Sequence, residues 1–210
     1  MTYLSYIVDV FLHLDKYLGV IINNYGFETY IILFCIIFLE TGLVVTPFLP
    51  GDSLIFAAAT FSALGMLNIY ILIIVLIAAA ILGDTVNYEI GRHLGNKIIK
   101  SGKFIKKEHI DKTNKFYEKY GGKTIIFARF IPIVRTLAPF VAGIGKMNYK
   151  KFISFNAVGG SLWVLIVTLL GYFFGNITIV KENFTIVIMG IIFISVLPVI
   201  LNLFKKKQLS

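Results

Sequence analysis

Four charged side chains lie within two apolar stretches of the sequence: Glu40 and Asp52 in the first stretch, and Arg129 and Arg135 in the second. A charge at the centre of a bilayer costs about 2.5–3.5 kcal/mol on insertion scales, so charges retained there usually have a function. The planar donor fork of a guanidinium fits a phosphate, which makes Arg129 and Arg135 candidates for binding an anionic headgroup. A carboxylate in a low-dielectric cavity holds a proton more readily, so Glu40 or Asp52 could carry one.

The same charges also allow a structural interpretation, in which two salt bridges dock one stretch against the other. Buried pairs are poor stabilisers, because desolvation offsets much of the Coulomb attraction, and apolar residues would join the stretches at lower cost. Asp52 has a further alternative, since Pro50-Gly51-Asp52-Ser53 resembles a helix start whose cap is Asp52 or Ser53. The sequence therefore leaves docking, capping and transport open for these residues.

Further polar residues fall within the apolar segments that follow the two stretches. Four of them recur at helical spacing on one face of the first segment: Asp84, Asn87, Tyr88 and Arg92. They either line the same cavity or form the snorkelling end of a helix. In the later segment, Asn156 is another candidate for the cavity lining, whereas Trp163, the only tryptophan, is expected to serve packing.

The composition indicates that lipid surrounds much of the chain. Of the 210 residues, 58% are hydrophobic and the mean hydropathy is +0.85, whereas a soluble domain is about 45–50% apolar. The net charge of +9 is concentrated, since ten of the 20 lysines and arginines lie within residues 92–123. These basic residues border apolar spans, so we expect them to face anionic lipid headgroups and not nucleic acid. The single cysteine and the scattered histidines indicate neither a metal site nor a cofactor.

Prolines and glycines indicate that the two charged stretches are broken. They are predicted to form re-entrant hairpins at about residues 38–66 and 124–146, because broken backbone survives in lipid only when it is buried in protein or lines a wet cavity. The segments at about 69–91 and 153–175 are long enough to span the membrane. The predicted breaks in the hairpins are Pro47, Pro50, Gly51, Pro132, Pro139 and Gly143.

The distribution of positive charge favours this topology. If loop 92–123 is cytoplasmic and hairpin 124–146 returns to the same side, the lysine-rich C-terminal tail is cytoplasmic as well. Gly65 and Asn68 recur at one fixed offset as Gly145 and Asn148, which suggests a repeat. Two inverted repeats with broken helices that meet near the midplane are typical of transporters.

The predicted fold is therefore an all-α integral membrane protein. Residues 1–27 form an N-terminal helix that is either interfacial and amphipathic or spanning. Residues 28–175 form the membrane domain with its inverted repeat, and residues 176–210 form a C-terminal transmembrane helix with a basic tail. We expect a multi-pass protein of the bacterial cytoplasmic membrane.

Several blocks of residues follow one another in a fixed order. The blocks are Glu40-Thr-Gly, Pro47-Phe-Leu-Pro-Gly-Asp52-Ser, Gly83-Asp84-x-x-Asn87-Tyr88-x-x-Gly91-Arg92-x-x-Gly95 and Phe127-Ala-Arg129-Phe-Ile-Pro-Ile-Val-Arg135-Thr-x-x-Pro139-x-x-Ala142-Gly143, followed by Met147, Phe152, Asn156, Gly159 and Trp163. Together they closely resemble the DedA family, whose shared region is also called the VTT or SNARE-associated domain. The resemblance covers roughly residues 28–175 and implies a bacterial inner-membrane protein with two re-entrant hairpins, in which Glu40, Asp52, Arg129 and Arg135 are the functional residues. It also implies lipid transport that depends on the proton motive force, with undecaprenyl phosphate or a phospholipid as substrate.

Four functions compete on this evidence. The first is a transporter whose arginines hold a lipid phosphate while protons move on its carboxylates; its partners are membrane lipids and protons, and a homo-oligomer is compatible with the sequence. The second and third are a proton-coupled exchanger of small ions or drugs and a passive phospholipid scramblase. The fourth, a lipid-phosphate hydrolase, would need a nucleophile and a base within reach of each other. All three histidines lie outside the hairpins, so we expect no catalytic residues.

Overall fold

The computed structural model describes residues 14–43, 51–101 and 117–175, with isolated positions at 113, 115, 177, 186 and 190. Two of the predicted breaks, Pro47 and Pro50, lie outside the described residues. So do residues 1–13 of the predicted N-terminal segment, residues 102–112 of the basic loop and most of the predicted C-terminal helix.

All of the regular secondary structure in the described ranges is helical, which confirms the all-α fold class. A short 3₁₀-helix, Gly121–Lys123, leads directly into the α-helix Thr124–Ala128. In chain order the α-helices are α1 Leu14–Tyr25, α2 Glu28–Gly42, α3 Gly51–Ala63, α4 Ile69–Ser101, α5 Thr124–Ala128, α6 Pro132–Ile144 and α7 Tyr149–Phe174.

Two helices in the described ranges are long and apolar enough to cross a membrane. They are Ile69–Leu94, within α4, and the whole of α7, and each has 26 residues. At 1.5 Å per residue each extends about 39 Å, which exceeds the roughly 30 Å of a hydrocarbon core. Both carry large exposed apolar side chains, such as Ile74 and Leu82 on α4 and Leu162 on α7. These helices correspond to the two predicted spans.

The described residues divide into two compact units. The first comprises the described parts of Met1–Phe34, Pro50–Leu76 and Val164–Ser210, and the second comprises those of Cys35–Leu49 and Ile77–Trp163. The core of the second unit is built from α4, α5, α6 and α7. Within that core the rings of Tyr88 and Phe152 stack with their centroids 4.4 Å apart.

Both long helices begin with the same asparagine cap. The Asn68 Oδ1 accepts hydrogen bonds from the backbone N–H groups two and three residues further on, at 3.0 and 3.2 Å. The Asn148 Oδ1 accepts the equivalent bonds at 3.0 and 3.3 Å. These bonds satisfy two of the free donors at each helix start, which fixes where α4 and α7 begin.

Each long helix also presents a glycine to the backbone of a short helix. In the second unit, a Cβ on Gly91 of α4 would overlap the carbonyl of Phe140 in α6. In the first unit, a Cβ on Gly171 of α7 would overlap the carbonyl of Phe56 in α3. Only a glycine permits helices to approach this closely, as at small-residue interfaces between membrane helices.

Tyr117, in the segment before the second predicted hairpin, is hydrogen-bonded to α6. The Tyr117 hydroxyl donates to the carbonyl oxygen of Ala138 at 2.9 Å. Burial raises the pKa of Tyr117 above its usual range, and the nearby carboxylate of Asp84 raises it further. The hydroxyl therefore stays protonated and remains a donor.

The structure corrects two of the predicted breaks. The chain is broken at residues 129–131, between α5 and α6, where Ile131 has an extended backbone and Pro132 opens the next helix. The prediction that Pro139 and Gly143 also break the hairpin is wrong, because both lie within α6. A proline inside a membrane helix removes one backbone hydrogen bond, and packing against protein allows the helix to continue. Gly51, a further predicted break, is the first residue of α3.

Candidate functional site

The first ion pair of the site joins Arg135 to Glu40. Arg135 lies in the first turn of α6, and Glu40 lies near the C-terminal end of α2. Arg135 Nη2 is 2.6 Å from Glu40 Oε1, and the exposed fractions of the two side chains are 8% and 1%. Both charged groups are therefore buried, and each compensates the charge of the other.

The second ion pair joins Arg129 to Asp84. Arg129 follows α5 directly at the break before α6, and its Nη2 donates to Asp84 Oδ2 at 2.5 Å and to Asn156 Oδ1 at 2.7 Å. The Asn156 amide nitrogen in turn donates to the carbonyl oxygen of Ile81 at 3.0 Å. Asp84 and Asn156, expected only as cavity lining, therefore hold one of the two predicted anion-binding arginines.

Arg129 has donors that these contacts do not use. Its Nε and Nη1 are buried and have no hydrogen-bond partner among the described residues. Buried N–H groups are almost always hydrogen-bonded, and a guanidinium has only donors and no acceptor. Arg129 therefore keeps unused donor capacity beside its contact with Asp84.

Both arginines also lie against one aromatic ring. The guanidinium carbons of Arg129 and Arg135 are 5.6 and 5.1 Å from the ring centroid of Trp163, which is buried in α7. Such contacts with an aromatic face attract a cation without consuming its N–H donors. Trp163, expected from the sequence to serve packing, thus also contacts both guanidiniums. A usable signal was its distance of two helical turns from Asn156, which places both side chains on one face of α7.

Asn87 links the helices that supply the first ion pair. Its amide nitrogen donates to the carbonyl oxygens of Thr41 in α2, at 3.0 Å, and of Thr136 in α6, at 2.8 Å. These residues directly follow Glu40 and Arg135 in the sequence. Asn87 therefore fixes the backbone that carries both charges.

The remaining charged and aromatic candidates are Tyr88, Arg92 and Asp52. Tyr88 is buried in the core, and its hydroxyl donates to the carbonyl oxygen of Met147. Arg92 is half-exposed and lies 3.8 Å from Glu89. Asp52 lies in the first turn of α3, in the first unit, where a negative charge is favourable at a helix start. The carboxylates that hold the two arginines within the second unit are Glu40 and Asp84.

Two helices of the described part of the chain are long and apolar enough to cross a membrane, and two ion pairs are buried within the second unit, which is the pattern expected of a membrane protein with a polar site in its interior. Comparison with known sequences agrees, since the family model of the VTT domain matches residues 49–173. No solved structure matches the chain.

Similar proteins extend over most of the chain. It is 48% identical to Protein DedA of Escherichia coli, over 99% of this chain and 97% of that protein. It is 42% identical to an uncharacterized membrane protein of Mycobacterium tuberculosis, over 80% and 75% of the two chains. It is 39% identical to the Inner membrane protein YqjA of Escherichia coli, over 70% and 68%. The chain belongs to the DedA family of membrane proteins, and none of these names describes an enzyme.

Proposed function

We propose that the protein transports a lipid phosphate, undecaprenyl phosphate or a phospholipid, across the bacterial cytoplasmic membrane, coupled to the proton motive force. Arg129 and Arg135 bind the phosphate, and carboxylates of the site carry the proton. The observation that carries the proposal is the placement of both guanidiniums against Trp163, each held by one buried carboxylate.

The chemistry of the two pairs supports an exchange between substrate and carboxylate. Each guanidinium is compensated by a carboxylate that competes with a phosphate for the same N–H donors. When Glu40 takes up a proton it loses its charge, and Arg135 becomes available to the phosphate. When the proton leaves, the restored carboxylate displaces the phosphate. Asp84 performs the same exchange with Arg129, and Asp52 remains a proposed second proton carrier from the first hairpin.

The proposed topology is the inverted repeat expected from the sequence. Hairpins at about 38–66 and 124–146 each precede a spanning helix, and loop 92–123 and the C-terminus are cytoplasmic. Two observations support the repeat. Asn68 and Asn148 cap the two spanning helices in the same way. Gly91 and Gly171 each lie against the carbonyl of a phenylalanine in a short helix. Broken helices that pair across such repeats are suited to alternating access.

Reconstitution in proteoliposomes tests the proposal. The accessibility of undecaprenyl phosphate on the outer leaflet is followed with and without a pH gradient, for the native protein and for Arg129→Gln, Arg135→Gln and Glu40→Gln. We expect the arginine variants to abolish transport and Glu40→Gln to remove its dependence on the gradient. Lys150→Gln, which changes an exposed residue, is the matched control and should transport normally.

The competing functions give different results in the same assay. Lipid movement that ignores the gradient in the native protein would identify a passive scramblase. Proton-coupled movement of a soluble cation without lipid movement would identify an exchanger, and release of inorganic phosphate would identify a hydrolase. Each of these results would contradict the proposal.

A further inference from the structure

A cavity of about 690 Å³ lies apart from the two buried ion pairs, at the start of α7. We call it the basic cavity, because three of its lining residues are basic. The lining consists of Arg92, His93, Lys146, Met147, Asn148 and Tyr149. The proposed topology places these residues at the cytoplasmic surface of the membrane, where anionic headgroups lie.

One of the basic residues has an unfavourable backbone conformation. Lys146 has a φ of 50°, in the left-handed region that residues with a Cβ seldom adopt. In the turn before α4 the left-handed residue is a glycine, Gly65, with a φ of 79°. The two turns share their hydrogen bonds: in each, the N–H of the left-handed residue bonds three residues back, and the next N–H bonds five residues back. A glycine would therefore suit position 146 without strain, yet the chain has a lysine there.

Backbone strain of this kind persists where the side chain is used. The use indicated here is electrostatic, because Lys146 shares the cavity with Arg92 and His93. Glu89 partly compensates these groups, lying 3.8 Å from Arg92 and 3.2 Å from His93. Among the described residues, Lys146 makes no ion pair with Glu89. The ammonium group of Lys146 therefore adds a positive charge that the Glu89 carboxylate does not balance at short range.

We propose that the basic cavity is a second anion site, which binds the phosphate-containing headgroup of an anionic membrane lipid. Lys146 and Arg92 contact the phosphate as charge-assisted donors. The side chains of Met147 and Tyr149 supply apolar surface for the part of the lipid next to the phosphate. The volume exceeds that needed for a single phosphate and falls within the range of small-molecule sites. The site binds its ligand whether or not the buried arginines transport one.

Variants of Lys146 separate a binding role from a structural one. Lys146→Gly and Lys146→Asn both relieve the backbone strain and remove the charge, since asparagine also tolerates this conformation. Lys146→Arg keeps both the charge and the strain. The purified full-length protein in a neutral detergent is titrated with a short-chain phosphatidic acid, with the matching phosphatidylcholine and with inorganic phosphate. Its thermal unfolding is measured without lipid.

We expect Lys146→Gly and Lys146→Asn to weaken phosphatidic acid binding about tenfold, as expected for the loss of one charged hydrogen bond. Their unfolding temperatures should equal or exceed that of the native protein, and Lys146→Arg should bind normally. A residue with a purely structural role would not combine unchanged or higher stability with weaker binding. Native binding in Lys146→Gly would overturn the proposal. Inorganic phosphate that binds as tightly as phosphatidic acid, with the same loss in the variants, would overturn the assignment to lipid.

Discussion

Arg135 and Glu40 are separated by 95 positions in the sequence, yet their side chains meet at 2.6 Å in a buried ion pair. Burying either charge without the other would be unfavourable, because an isolated charge in a low-dielectric interior costs far more free energy than a paired one. The pair therefore ties α2 to α6 for as long as both groups are charged. Protonation of Glu40 removes the attraction and would free the guanidinium for another anion.

The first prediction concerns the stability of this pair. Glu40→Leu and Arg135→Leu should each lower the free energy of unfolding by about 3–5 kcal/mol, because each leaves one buried charge uncompensated. The double variant should be destabilised by much less than the sum of the two. Unfolding of the detergent-solubilised protein measures this, with Glu89→Gln, at a partly exposed carboxylate, as the control. Single variants no less stable than that control would show that the pair is not formed.

The second prediction concerns Asn87, which joins the backbones of Thr41 and Thr136. Asn87→Leu should lower the free energy of unfolding by about 1–3 kcal/mol, because two carbonyl oxygens lose a side-chain donor in a buried region. Asn87→Asp should be at least as damaging, since it replaces the donor by an acceptor. Asn24→Leu, at an exposed position of α1, is the control. Equal stability of Asn87→Leu and the control would contradict the bridging role.

The third prediction uses two nearby glycines at the C-terminal end of α6, Gly143 and Gly145. A Cβ on Gly143 would overlap the carbonyl of Tyr88, whereas a Cβ on Gly145 would lie 3.4 Å from its nearest neighbour, the carbonyl oxygen of Val141. Gly143→Ala should therefore force α6 away from α4 and destabilise the protein by about 1–3 kcal/mol. Gly145→Ala should be tolerated. If both variants unfold at the same temperature, α6 and α4 do not approach each other as described.

The fourth prediction concerns the aromatic ring shared by the two arginines. Trp163→Leu should weaken the binding of a lipid phosphate about 2–30-fold, because it removes about 0.5–2 kcal/mol of attraction that keeps the guanidiniums in place. Trp163→Phe retains an aromatic face and should recover most of the affinity. Phe173→Leu removes an exposed aromatic ring from the same helix and serves as the control. Equal affinities for Trp163→Phe and Trp163→Leu would mean that the ring contributes volume alone.

Much of the fold was predictable, because it follows from local features of the chain. The two membrane-length helices are long apolar runs, and Asn68 and Asn148 cap them where they begin. Pro132 predicts a break because proline removes a backbone donor from a helix, and it begins α6 after the extended residue Ile131. Pro139 was misjudged for a tertiary reason. A proline breaks a helix only where neighbouring protein does not compensate for the lost hydrogen bond, and that compensation depends on packing that the sequence does not display.

The sequence predicted which residues belong to the site, but not which carboxylate pairs with which arginine. Buried charges in apolar segments identified Glu40, Arg129 and Arg135, and helical spacing identified Asp84 and Asn87. The pairing of Arg129 with Asp84 depends on how α4 packs against the break between α5 and α6. The sequence does not display that packing. The role of Trp163 was missed because a buried tryptophan has the same sequence signature whether it packs against leucines or against guanidiniums.

The central claim is that one site beside Trp163 binds a lipid phosphate through both arginines. Trp163 is the only tryptophan in the chain, so fluorescence excited selectively at tryptophan reports on this site alone. Titration of the purified protein with undecaprenyl phosphate or phosphatidic acid should shift its emission saturably, and phosphatidylcholine should not. The shift should disappear in Arg129→Gln and in Arg135→Gln. Emission that ignores the lipid phosphate, or that responds equally in the two arginine variants, would contradict the account.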